Sequence, residues 1–255
     1  MNITRKQSGF TLVEIAIVLV VIGLLLGGIL KGQQLINSAR VRNMADQNSA
    51  VQSSYYGFID RFRNIPGDMT PTAACKNIGS EVDPTGCGGS SPSVGGNGDG
   101  RINTIPEAGA VWAQMSVAGF LNGTYTGKTS DATAYKTGVA TGAVPPNAFQ
   151  GPILLAHSSA YKNSNGVVRL AYSFGGNIPV PLLRDLDQKL DDGVAGTGVM
   201  RSAVSAGDNS SDTFAPIVQY TSTTTTDECI GSETAPNQTW NVDSANQNCN
   251  AMFLY

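Results

Sequence analysis

Hydrophobic and polar positions divide this chain sharply. After nine mixed residues, positions 10–30 form an almost wholly apolar run of 21 residues with one ionisable side chain, Glu14. As a helix that run reaches roughly 31 Å, about the hydrocarbon thickness of a bilayer. No proline interrupts the chain until Pro66-Gly67. Between Lys31 and that breaker the apolar positions thin to a helical period. Met44, Val51, Tyr55, Phe58 and Phe62 recur at steps of three, four or seven, opposite Arg40, Arg42, Asp46, Gln47 and Gln52. The pattern predicts one helix from residue 10 to about 63, roughly 81 Å long. Its first half is lipid-soluble, and its second half needs a protein surface to cover one face.

Beyond the breaker the pattern becomes short and mixed. Residues 67–105 are rich in Gly, Ser, Pro and Asn and read as loop. A helix is expected over 106–121, with Val111, Trp112, Met115 and Phe120 on its apolar side, and another over 181–190. Strand-like runs fall at 153–156, 167–174, 214–220, 239–242 and 252–255. Strands grouped after a long helix predict an α+β fold, with an antiparallel sheet packed on the exposed half of the helix. The polar tract at 222–226 reads as a surface loop, and no internal repeat is present.

Charge sharpens the reading of the N-terminus. Arg5 and Lys6 precede the apolar run, as a cytoplasmic flank should. An ordinary secretory signal places its small-residue cleavage site after the apolar core; here Gly9 stands before it and no such exit follows. Glu14 is costly in lipid, by about 2.5–3.5 kcal/mol on insertion scales, so it needs a partner or an interfacial position. A cut after Gly9 would leave Phe10 with a free amine four residues from Glu14. Between neighbouring copies that amine and carboxylate would pair and set axial register, since an unpaired charge in an apolar core is the worse alternative. Gly23-x-x-x-Gly27 and Gly28-x-x-x-Gly32 fit close helix approach, and equally the ordinary small-residue content of a membrane helix.

The segment Arg5-Lys6-Gln7-Ser8-Gly9-Phe10-Thr11-Leu12-Val13-Glu14 is similar to the leader and mature start of type IV prepilins and type II secretion pseudopilins. That resemblance implies removal of a leader, residues 1–9, by a prepilin peptidase cutting after Gly9, then N-methylation of Phe10. It also implies a role for Glu14 in subunit addition. Residues 10–30 would be the transmembrane half of the helix, 31–65 its amphipathic half and 66–255 a periplasmic or extracellular globular domain. The implied partners are sister pilin subunits, the peptidase, an inner-membrane assembly platform and the bilayer. Before assembly the protein would sit in the inner membrane with its N-terminus cytoplasmic, and afterwards in a filament. Residues 56–69 also resemble a segment found in one group of pilin-like proteins. Many major pilins carry a proline late in the apolar run, where this chain has Lys31, which points to a minor pilin or a pseudopilin. The competing expectation is a membrane-anchored adhesin or binding domain that never polymerises, to which a Gly-, Ser-, Thr- and Asn-rich surface is equally suited.

Composition excludes more than it assigns. With 16 basic and 19 acidic residues the net charge is −3, so no basic face for nucleic acid is expected. The four cysteines, Cys75, Cys87, Cys229 and Cys249, form no C-x-x-C pair. In an oxidising compartment the local pairing Cys75–Cys87 and Cys229–Cys249 is expected over two other connectivities, each loop contributing roughly 3 kcal/mol; four free buried thiols are the alternative. The single histidine, His157, follows an apolar run and reads as a strand residue rather than a ligand or base. There is no P-loop, Gly-x-Ser-x-Gly elbow or Ser/His/Asp set, so no enzyme is expected. Asp187, Asp191 and Asp192 read as a helix end and turn. Residues 96–102 carry part of a calcium-loop pattern, so no cofactor is expected beyond calcium, with Asn97, Asp99, Asp191 and Asp192 as candidate ligands against a plain Asx/Gly turn. The sequons at Asn122, Asn209 and Asn237 read as chance.

Overall fold

The computed structural model describes residues 11–82, 95–206, 208, 211–221, 228–231 and 235–255. Its contacts divide the chain into a unit ending at Arg40 and a compact unit, Val41–Tyr255. Helix α1 runs Leu12–Phe62. In the first unit every residue from Thr11 to Lys31 is exposed, which leaves Leu12, Leu19, Leu24, Leu25 and Leu30 without cover from their own chain. By length and composition this part of α1 is apolar enough to cross a membrane.

In the second unit α1 presents a buried stripe of Val41, Met44, Asn48, Val51, Tyr55 and Phe58, spaced three and four apart as one helical face requires. Polar side chains on and beside this stripe bond to distant parts of the unit. The Tyr255 hydroxyl donates to Asn48 Oδ1 at 2.7 Å, Ser54 Oγ donates to the Phe120 carbonyl at 2.7 Å, and Gln47 Nε2 to that of Pro146 at 3.0 Å. The expected stripe was therefore legible, apart from Val41 and the polar Asn48.

Just past the end of α1, Arg63 takes a left-handed conformation, φ 53°, and Pro66-Gly67 turns the chain, with Gly67 at φ 88°. A β-carbon on Gly67 would sit 2.5 Å from the Glu107 carbonyl oxygen and 2.6 Å from Val111 Cγ2, so only glycine lets this turn approach the next long helix. The fully buried Gln114 pins it there, its Oε1 accepting from the Gly67 N–H at 2.7 Å.

The stretch read as loop holds two elements, helix α2 (Pro71–Asn77) and a 3-10 turn, Ser80–Val82. Thr70 caps α2 and Pro71 opens it; these helix-start signals were masked by the glycine-rich surroundings. Helix α3 is Ile105–Val117, opened by a capping box between Thr104 and Glu107, and it ends four residues short of the expectation. Short helices α4 (Ala132–Lys136) and α5 (Gly138–Thr141) follow. The buried Trp112 of α3 donates to the Tyr135 hydroxyl at 2.9 Å, which donates to the Ile153 carbonyl at 2.8 Å, linking α3, α4 and the start of the sheet.

The sheet is antiparallel and has four strands, β1 (Leu154–Ser158), β2 (Arg169–Ser173), β3 (Met200–Ser202) and β4 (Ala251–Leu254), in the order β1-β2-β4-β3. Leu154 pairs with Ser173, Tyr172 with Phe253 and Met200 with Phe253. Helix α6 (Val180–Leu190) separates β2 from β3 as the pattern predicts, and α7 (Ala215–Val218) lies between β3 and β4. The architecture is α+β, as expected.

Two expected strands fail. Residues 214–220 contain α7, because Pro216 cannot donate to a ladder and Asp212 Oδ1 takes the Phe214 N–H at 2.8 Å. Residues 239–242 make only an isolated bridge, between Trp240 and Ile230. Conversely β3, three residues long, is too short to announce itself by alternation. Cys229 and Cys249 are joined by a disulfide. Cys75 is disulfide-bonded too, and Cys87, its expected partner, lies outside the described residues, among which no cysteine is free.

Candidate functional site

The sequence singled out residues at two places, the start of α1 and the acidic positions of the globular unit. At the first, Gly9 and Phe10 lie outside the described residues. Glu14 does not stand alone. The Thr11 N–H and hydroxyl both donate to Glu14 Oε2, at 2.8 and 2.9 Å, and the Glu14 N–H donates back to Thr11 Oγ1 at 3.3 Å. This is a capping box, with Thr11 as N-cap and Glu14 three residues on, and the Thr-x-x-Glu signature was present in the sequence. It holds the carboxylate against the first turn of α1, where the helix dipole favours an anion. Both side chains are exposed, so the acid is preset at the N-terminal end of an apolar rod and accessible to a partner.

The calcium-loop expectation does not assemble as drawn. Residues 95–100 wrap around the buried carboxylate of Asp68. Gly98 and Asp99 donate their N–H groups to Oδ1 at 2.8 and 3.1 Å, and Gly100 donates to Oδ2 at 2.8 Å. Backbone donors converging on an acid make an anion cradle rather than a cation cage. Asp99 is held by its own loop: Asn103 Nδ2 donates to its Oδ2 at 2.7 Å and Asn97 Nδ2 to the same oxygen at 3.3 Å. These contacts, led by Asn103, lower its pKa. Asp99 is not part of the carboxylate group formed by Asp191 and Asp192. Replacing Asp68 by Ala leaves three N–H groups without their acceptor and is expected to destabilise the globular unit by on the order of 2–3 kcal/mol, read from urea unfolding.

His157, on β1, behaves as a structural residue. Its Nδ1 accepts the Ile102 N–H at 2.9 Å, and its backbone N–H donates to the Ile102 carbonyl at 2.8 Å. Burial, aided by Arg101, lowers its pKa and favours the neutral ring that this acceptor role requires. It fastens the 95–103 loop to the sheet edge.

At the C-terminal end of α6 the structure brings Asp187 together with Asp191 and Asp192, their nearest donor oxygens all within 4.8 Å of one another. Asp187 is fully buried. Trp240 Nε1 donates to its Oδ2 at 2.7 Å, and the carboxylate also takes a backbone hydrogen bond from Gly193. Burial, with Asp192 and Asp191 adding to it and the Trp240 bond opposing, pushes its pKa up to about 6. Asp191 Oδ2 accepts the N–H groups of Val199 and Met200, and Asp192 accepts from the Val194 N–H at 2.8 Å and the Thr197 hydroxyl at 2.6 Å. The sequence placed Asp191 and Asp192 side by side. Burial of Asp187 beneath Trp240, 53 residues away, was not visible there.

Neither any curated protein nor any solved structure matches the chain. Residues 4–30, which take in Gly9, Phe10 and Glu14, match the family model of the prokaryotic N-terminal methylation motif, so the chain carries the leader motif of type IV pilin-like proteins.

Proposed function

We propose that this protein is a structural subunit, a minor pilin or pseudopilin, of a type IV pilus or type II secretion-like filament. The observation that carries the reading is the lone, preset carboxylate of Glu14 at the tip of an otherwise uncovered apolar helix, inside a matched methylation motif. A prepilin peptidase removes residues 1–9 and Phe10 becomes the methylated terminus. Arg5 and Lys6 stay cytoplasmic and the disulfide-bearing unit is periplasmic, consistent with its oxidised cysteines. The inner-membrane assembly platform then exchanges lipid contacts around residues 10–30 for contacts with sister helices. Apolar area stays out of water in both states, so extraction from the bilayer is affordable. Gly23, Gly27, Gly28 and Gly32 have no neighbouring atom within 4 Å of where a β-carbon would sit, which leaves room for such helices to approach closely.

The test is Gly9→Leu expressed beside the native assembly machinery. The variant is expected to persist as an unmethylated precursor that retains residues 1–9, read by intact mass, and to be missing from sheared filaments. Native protein that keeps Met1, or is cut beyond residue 30, would overturn the reading. Native protein that is processed but never pellets as polymer after shearing would favour a membrane-anchored adhesin instead.

A further inference from the structure

We infer that the first part of α1 docks against a second copy of this chain in one register, with Lys31 of one copy paired to Glu14 of a copy displaced about 26 Å toward its C-terminal end. The inference rests on the filament reading and adds to it a second counter-ion for Glu14 and an axial offset. Glu14 and Lys31 are the only ionisable side chains of α1 before Arg40. Both are exposed, and none of the ion pairs among the described residues involves either. Lys31 Nζ donates to the neutral amide oxygen of Gln34 at 3.0 Å. Thr11 engages Oε2 of Glu14, and a carboxylate accepts at both oxygens, so a terminal amine and a lysine are not rivals for it.

A bilayer and a bundle of sister helices treat these two charges differently. In a bilayer each lies near one end of the apolar run and reaches the polar interface closest to it. Between packed helices neither finds water, so each needs an opposite charge. Its own chain cannot supply one. The separation of Glu14 and Lys31 along α1 sets them about 26 Å apart on the helix axis and about 100° apart around it. A shifted neighbour brings them to the same height. Because the acid and the base stand on different faces, the contact is heterologous: it adds copies head to tail and does not close on a pair.

The residues one turn away on each face fit this contact. Gly27 and Gly28 precede Lys31 on its face and Leu35 follows it, while Thr11 precedes Glu14 and Val18 follows it. Gly27 and Gly28 have nothing within 4 Å of where a β-carbon would sit, so the start of the neighbour's helix can approach closely there. Leu35 is 61% exposed although it lies beyond the apolar run, where a bilayer spanning residues 10–30 leaves it uncovered. The register sets it at the height of the neighbour's Val18, itself 51% exposed. One offset therefore pairs the charges and covers an apolar side chain that the membrane does not.

Full-length protein expressed beside its assembly machinery, with sheared filaments compared against membranes, provides the test. Lys31→Gln is expected to be processed and membrane-bound as the native chain is, yet to fall at least about tenfold in sheared filaments. Lys31→Arg should restore incorporation, and Arg42→Gln, at an exposed position further along α1, should leave it unchanged. The double variant Val18→Cys/Leu35→Cys reads the register itself. With helix axes about 8–10 Å apart, a short bismaleimide should join its filaments into a ladder of covalent multimers, and either single cysteine should give monomer alone. A Lys31 that only anchors the helix at the interface produces no such ladder. Native-level incorporation of Lys31→Gln, or polymer of the double-cysteine variant without a ladder, would overturn the register and leave the filament reading standing. Native protein that never pellets as polymer would overturn both.

Discussion

Glu14→Leu is expected to be processed, inserted and folded normally, yet to fall at least about tenfold in sheared filaments relative to the membrane fraction. The direction follows from competing free energies. In lipid the substitution removes an acid and adds an apolar side chain, a gain of about 3 kcal/mol on insertion scales, so the membrane-stored form becomes more stable. The loss of the capping box costs α1 only about 1 kcal/mol, and the first turn of so long a helix tolerates that. On the filament reading, what disappears is the charge that would meet a neighbour's terminal amine. Glu14→Gln separates this from a capping role. Its amide oxygen keeps the hydrogen bond from Thr11 but not the charge, so it should be depleted nearly as strongly as Leu. Normal incorporation of Gln alongside depletion of Leu would assign Glu14 to capping alone. The measurement is an immunoblot of sheared against membrane-bound subunit.

Phe58→Ala is expected to destabilise the globular unit by about 3–5 kcal/mol and lower its Tm by roughly 10 °C or more. Phe58 is fully buried on the stripe of α1, its ring 4.7 Å from that of Phe62 and 6.0 Å from that of Phe120. Removing it opens a cavity where α1 meets the segment after α3, which also receives the Ser54 hydrogen bond. Near-ultraviolet circular dichroism on heating reads the loss. A shift below about 2 °C would mean that this stretch of α1 contributes little to the stability of the unit. Because the same helix continues into the apolar run, a subunit weakened here should also be cleared by proteases before assembly.

The parts of the molecule that were legible share one property: their signal is local and repeats. The uninterrupted helix from Leu12 to Phe62, its membrane-compatible first half and its stripe of Met44, Val51, Tyr55 and Phe58 all follow from side-chain periodicity and the absence of a breaker. Helix α6 and strands β1, β2 and β4 are legible for the same reason. The capping box of Thr11 and Glu14 was equally local. Its partner, Thr11, stands three residues from Glu14.

Alone, then, the residue order determined the long two-part helix, the single acid near its start and the α+β class, because each depends on neighbours a few turns away, while the Cys229–Cys249 bridge was one of several pairings it allowed. Tertiary structure decided the rest. It turned the Gly-rich stretch into a cradle for Asp68 rather than a cation loop, and folded 214–220 into a helix despite its β-forming residues. It also buried Asp187 beneath Trp240 beside two further carboxylates. Those outcomes depend on which distant groups meet once the core closes, and on how much water is left between them. Periodicity along the chain carries no record of either.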